Sequence, residues 1–165
     1  RTTRILRENS NNFISRDFIP LISTSCDSIW VNAWPLPEKT VYTIYSVIPE
    51  GYKGFLFEIK PDPGHHFVDM WNHTEREPQL TDGKWMIEAE TDAFNKTWLG
   101  TNNEGAVGCL TRLPQLLEVI LDSDELTIRV YRGDSIRVWA GVPEYGKKPL
   151  TIPATTTTLQ LKQLR

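Results

Sequence analysis

Between Pro37 and Pro49 runs Thr40-Val41-Tyr42-Thr43-Ile44-Tyr45-Ser46-Val47-Ile48, in which every residue but Ser46 is β-branched or aromatic. Such side chains are stiff at χ1 and suit a pleated surface better than a helix. Alternation puts Val41, Thr43, Tyr45 and Val47 on one face, with Tyr42, Ile44 and Ile48 on the other. Both faces are apolar, so this strand belongs near the centre of a sheet. A chain organised around it is mainly β.

Other strand signals surround it. Ser28–Trp34 alternates and is stopped by Pro35 and Pro37, which cannot donate to a ladder. Pro49-Glu50-Gly51-Tyr52 is a turn signal, and Gly54–Lys60 follows as the expected hairpin partner of 40–48. His65–Trp71 fits a short strand, and Lys84–Thr91 a half-buried one with Trp85, Ile87 and Ala89 inward. Asn72–Gly83, between them, is polar and turn-rich and is expected to be a long loop. The segment 95–105 fits a short strand or loop.

One segment fits two states. Leu113, Leu116, Leu117, Ile120 and Leu121 form the stripe of an amphipathic helix, with Pro114 tolerated in its first turn. Leu117–Leu121 and Leu126–Tyr131 equally fit a hairpin across Asp122–Glu125. The helix near 113–122 is preferred because the stripe reaches back to Leu113 and leucine favours helix. Leu126–Tyr131 and Ser135–Gly141 are then strands joined through Arg132-Gly133-Asp134. That tripeptide raises integrin binding, but a turn is the preferred reading, since glycine supplies positive φ and aspartate bonds local backbone.

The expected fold class is therefore mainly β (α+β): an antiparallel sheet packed against one helix near 113–122, with a galectin-like β-sandwich as the alternative. Residues 1–20 are expected to be an irregular arm, 21–152 a single β-rich domain, and 153–165 a threonine-rich tail. Val41, Tyr45, Phe55, Phe57, Ile128, Val130, Ile136 and Val138 are the expected core, with Trp30, Trp85 and Trp139 beside them.

The 165 residues suit one domain. Eighteen basic against 21 acidic residues disfavour a nucleic-acid surface. No apolar run is long enough to span a membrane. The start at Arg1-Thr2-Thr3-Arg4, without methionine, fits an excised or processed domain. Cys26 and Cys109 are too few for a disulfide scaffold. They either bridge or stay free, and free buried thiols are the preferred reading.

No catalytic signature emerges, so the chain is expected not to be an enzyme and to need no cofactor. His65, His66 and His73 cluster near Asp69, but without a recognised metal-ligand spacing, and no metal site is expected. There is no Gly-x-Ser-x-Gly elbow and no phosphate loop. Glu88 and Glu90 share the solvent side of their strand. Asn72-His73-Thr74 and Asn95-Lys96-Thr97 are glycosylation sequons.

Six tryptophans are the stronger signal. A tryptophan face stacks on the C–H patch of a sugar while amides and guanidinium groups bond its hydroxyls. Trp71, Asn72, His73 and Arg76, with Trp98 and Asn102, combine these chemistries in loops and form the candidate glycan site.

Ser135–Thr158 and Asp82–Glu90 resemble segments of the receptor-binding head of the rotavirus-type outer-capsid spike protein. The resemblance covers about a fifth of the chain. The remainder departs from the common group's galectin-like pattern, so no functional residue is carried over. The resemblance implies a virion-surface attachment domain that binds cell-surface glycans. It also implies that the end at Arg165 is a protease boundary with the rest of the spike beyond it. Two rivals stand beside this reading. One is a carbohydrate-active enzyme or its accessory sugar-binding module. The other is a protein-binding capsid projection or immune-evasion domain.

Overall fold

The computed structural model describes residues 1–95, 105–141, 146 and 148–164, with side chains through Lys162. The chain divides into two compact units, Arg1–Pro114 and Gln115–Arg165. The expected single domain over 21–152 is thus cut near Pro114, because the residues beyond it gather around a core of their own.

In the first unit, six antiparallel strands form one sheet: β1 (Ile19–Ile22), β2 (Ile29–Pro35), β3 (Thr40–Ser46), β9 (Ala106–Pro114), β5 (His65–Asp69) and β6 (Thr74–Arg76), in that spatial order. A second sheet holds β4 (Tyr52–Glu58), β8 (Lys84–Thr91) and β7 (Gln79–Thr81). As expected, β3 is interior, paired with β2 and β9. Its expected hairpin partner at 54–60 instead pairs with β8, because the Pro49 turn carries the chain to the other sheet. The expected loop at 72–83 also contributes the short strands β6 and β7, and it turns through Asp82-Gly83, both with positive φ.

The two sheets share a core of Ile29, Val31, Ile44, Leu56, Phe57, Phe67, Ile87 and Leu110. On β2 the β-branched residues therefore face inward, and Trp30 faces out. Tyr45, Trp30 and Trp85 are exposed rather than core. Trp85 shares the inward parity of Ile87 but lies beyond the core's edge, and Trp139 is half-buried. Val41, Phe57, Ile128 and Ile136 are buried as expected, while Phe55, Val130 and Val138 are only half-buried.

The N-terminal segment, expected to be irregular, forms two short helices, α1 (Thr2–Glu8) and α2 (Ser10–Phe13). They cover one end of the six-stranded sheet's outer face. Ile5 joins Val41 and Cys109 in a second core, with Phe13, Trp34, Met70 and Trp71 at its border. Phe13 meets Trp34 edge-on at 5.3 Å, and Phe18 stacks on the same indole at 4.1 Å. Asn12 Nδ2 donates to the carbonyls of Trp34 and Lys39 and so pins the helices to the sheet. Cys26 and Cys109 are free.

In the second unit, β10 (Leu117–Asp122), β11 (Glu125–Val130) and β14 (Thr157–Gln160) form one sheet, and β12 (Ser135–Val138) pairs with β13 (Leu150–Pro153). The helix expected near 113–122 is not formed. Leu113 and Pro114 end β9, and the rest forms the β10–β11 hairpin. Val119 and Ile120 suit a strand, and a ten-residue helix is marginal alone. The hairpin adds cross-strand partners: Glu118 accepts hydrogen bonds from Arg129 at 3.0 Å and from the Tyr131 hydroxyl at 3.1 Å. The threonine-rich segment is not a free tail either. It pairs with β11 along Glu125–Ile128, and Leu159 joins Ile128 and Ile136 in the core. Threonine is β-branched, which suits it to close a sheet. Among the described residues no helix is long and apolar enough to cross a membrane.

Candidate functional site

Trp71, Asn72 and His73 form the turn between β5 and β6, and Arg76 ends β6, so these four expected site residues are brought together. The turn is organised by Asp69, which is buried at the end of β5. Its Oδ1 accepts the backbone N–H groups of Trp71 and Asn72, each at 2.9 Å. Its Oδ2 accepts Asn72 Nδ2, also at 2.9 Å. The sequon amide of Asn72 is thus engaged within the turn. His73 takes the left-handed region at φ 58° and lines a cleft of about 330 Å³ with Arg1, Arg4, Glu8 and Met70.

Arg76 points across to the other sheet. Its Nη1 donates to Glu88 at 2.9 Å, its Nη2 donates to Glu90 at 2.7 Å, and Nη2 lies 3.5 Å from Asp69 Oδ2. The Glu88 and Glu90 carboxylates, expected to face only solvent, instead clasp this guanidinium. Burial works against the arginine's charge, but the Glu90 hydrogen bond and the surrounding carboxylates outweigh it and raise its pKa. The Arg76 side chain is 13 % exposed. Its role is to join the sheets rather than to face a ligand.

Trp71 is half-buried on the second core. Its indole Nε1 donates to Asp92 at 3.1 Å, and the Arg1 guanidinium lies 5.7 Å over its ring. Trp98 and Asn102, the other two expected site residues, lie outside the described residues. The three histidines diverge: His65 meets Asp62 at 3.0 Å, His66 meets Glu75 at 2.7 Å, and His73 faces the cleft.

A second surface was hidden in the sequence by the phase of β2. The register aligns Trp30 with Tyr45 and Tyr45 with Val107, one row across the outer face of β2, β3 and β9. Among the described residues, the helices reach this row at Val107, which lines a pocket with Thr2, Ile5 and Leu6 of α1. Trp30 is 40 % exposed, Tyr45 39 % and Val107 42 %. The two rings stack at 5.9 Å with their planes 26° apart. Gly105 lies beneath the tyrosine, where a Cβ would come within 2.6 Å of the ring.

Beside Trp30 opens a cleft of about 310 Å³, lined also by Leu21, Ser23, Thr24 and Asp27. Ser23 and Asp27 are exposed, whereas the Thr24 hydroxyl bonds the carbonyls of Cys26 and Ile29. An aromatic wall thus meets a hydroxyl and a carboxylate open to solvent. The sequence signal for this surface was present in the alternation of Ile29, Val31 and Ala33 against Trp30 and Asn32. It was obscured because tryptophan is itself a plausible core residue. No protein-family model, curated protein or solved structure matches this chain.

Proposed function

We propose that the chain is a non-enzymatic attachment domain that binds cell-surface glycans, at a virion surface as its sequence resemblance implies. The observation that carries this reading is the Trp30–Tyr45 pair, two stacked rings partly exposed on the outer face of the sheet. Two adjoining aromatic faces make a platform for the C–H side of a sugar. Ser23 and Asp27, lining the cleft at Trp30, supply partners for hydroxyls. The cleft lies at the small end of ligand sites, roughly 300–1,000 Å³, as suits one or two sugar units. The Trp71–Arg76 turn fits this role less well, because Asn72 and Arg76 spend their donors on Asp69, Glu88 and Glu90.

A shallow site of this kind binds weakly, since water competes for every hydroxyl. Millimolar binding corresponds to about 4 kcal/mol. Many copies on one particle raise this by avidity without any new contact.

A glycan array on the isolated domain tests the reading. Trp30→Ala and Tyr45→Ala are expected to abolish detectable binding with unchanged melting, while Trp71→Ala retains it. Undiminished binding by both platform variants moves the site elsewhere. No glycan bound by the unmodified domain overturns the reading.

A further inference from the structure

We propose that β10 is an interface between two copies of this chain, pairing antiparallel with itself across a twofold axis at Val119. The strand lies in the second unit and shares no residue with the Trp30–Tyr45 platform, so the inference stands independently of the glycan reading.

Among the described residues, β10 is bonded to β11 on one side and to no strand on the other. Its pairing with β11 runs from Leu117↔Val130 to Asp122↔Glu125 without a bulge. Just before it, the Tyr131 N–H donates to the Leu116 carbonyl at 2.9 Å. Bonded and non-bonded pairs alternate along an antiparallel ladder, so Glu118, Ile120 and Asp122 are the residues bonded to β11. The backbone N–H and C=O groups of Leu117, Val119 and Leu121 therefore point to the free edge. Edge strands are ordinarily guarded by lysine, proline or a bulge, and β10 has none of these.

The side chains of the same three residues lie on the core face of their sheet. They stand opposite Val130, Ile128 and Leu126 of β11, and Ile128 is buried with Ile136 and Leu159. Leu117, Val119 and Leu121 continue this apolar face outward but remain 44 %, 51 % and 60 % exposed. An open ladder and apolar surface thus coincide on one edge.

A second copy fits this edge because the strand is symmetric about Val119. Leu-x-Val-x-Leu reads the same in both directions, as an isologous twofold contact requires. Elimination fixes the register. Centring on Val119 sets Leu117 against the partner's Leu121 and Val119 against the partner's Val119, each pair exchanging both of its backbone bonds. Glu118 then stands opposite the partner's Ile120. A shift of two residues sets Glu118 against the partner's Glu118 in one direction and against the partner's Asp122 in the other. Like charges directly opposite are destabilising. A shift of one sets outward backbone groups against inward ones, and no ladder forms. In the remaining register the two sheets join into one, and their exposed apolar strips meet at the axis. A contact this short belongs to the transient class, below about 1,200 Å² in total, so the dimer is expected to dissociate on dilution.

Sedimentation velocity of the full chain, diluted from high to low micromolar concentration, tests this. A dimer is expected at the high end and monomer at the low end. Val119→Pro removes an outward N–H without touching a bond to β11, and is expected to weaken the dimer by about tenfold or more, since the twofold loses that bond twice. Val119→Lys keeps every backbone group and sets two charges against each other at the axis, so it should weaken the dimer with unchanged melting. Leu117→Lys and Leu121→Glu should each weaken it alone, and mixing the two is expected to restore it, because this register opposes those positions. Monomer at every concentration, a dimer indifferent to both Val119 variants, or no recovery on mixing overturns the proposal.

Discussion

Arg76 Nη2 lies 2.7 Å from Glu90 Oε2, and this contact ties the edge strand of the six-stranded sheet to β8 of the three-stranded one. Glu88 on the same strand takes the other arm of the guanidinium. Asp69, which also closes the β5–β6 turn, sits beside it. One cation thus compensates three carboxylates, one of them buried. Removing it is expected to be far costlier than losing a surface ion pair. Arg76→Ala should lower stability by about 3 kcal/mol, because Asp69 is left buried without its counter-charge. Arg76→Lys should fall between, since an ammonium cannot span Glu88 and Glu90 as the planar fork does. Urea denaturation measures both, and an alanine variant within about 0.5 kcal/mol of the native chain, the range of ordinary surface substitutions, would show that the sheets hold without this tie.

The same contact sets an acid limit. The hydrogen bond from Arg76 holds the Glu90 carboxyl below its ordinary value of 4.5; burial opposes this, and Lys53 assists it. A carboxyl depressed in the folded state stabilises the fold above its unfolded pKa, and that stabilisation is lost as pH falls through the folded value. The native chain should therefore lose stability below about pH 4.5 more steeply than Glu90→Gln. Melting temperatures for the two are expected to converge as pH falls. Parallel curves down to pH 3 would contradict this linkage.

The interior of the first unit was legible where β-branched residues filled a strand. Thr40–Ser46 has apolar side chains on both faces, and the structure covers it on both, by the second sheet at Ile44 and by α1 at Val41. Trp30 failed as a core expectation for a related reason. Both faces of β2 carry large side chains, and only distant covering elements decide which is buried. α1 and Phe18 shelter Trp34 and leave Trp30 open, a fact no local alternation contains. The Leu113–Leu121 stripe failed because β10 is an edge strand that exposes apolar residues on both faces. An edge strand of that kind has no clean period of two, and its leucines imitate a helical stripe. The Trp71 turn was recognised as a cluster. The inward orientation of its polar groups depends on Asp69 and on β8, which are brought there by tertiary structure.

Cys109 should be inert in the native chain. Burial, reinforced by Asp69, pushes its thiol up to about 12, against smaller opposing effects of Thr111 and Lys39. At pH 8 on the order of one Cys109 in 10⁴ is then thiolate, the reactive form. Cys26 is only half-buried. Iodoacetamide is expected to modify Cys26 first and Cys109 only once urea unfolds the chain, as peptide mass spectrometry would read. Equal labelling of both in buffer would mean that α1 does not shield the outer face around Ile5 and Cys109.

The C-terminal strand gives the sharpest distinction between a free tail and a structural element. Thr157–Gln160 bonds to β11, the Thr127 and Thr158 hydroxyls lie 3.3 Å apart, and Leu159 is buried against Ile128 and Ile136. Leu159→Ala should destabilise the second unit by about 2–3 kcal/mol through lost transfer energy and the cavity left behind. Thr156→Ala, at an exposed position just before the strand, should stay within about 0.5 kcal/mol. Hydrogen exchange locates the effect: the amides of β11 that bond to β14 should lose protection in Leu159→Ala and keep it in Thr156→Ala. Were both variants neutral, the threonine segment would be a tether after all, and Ile128 would need another cover to stay dry.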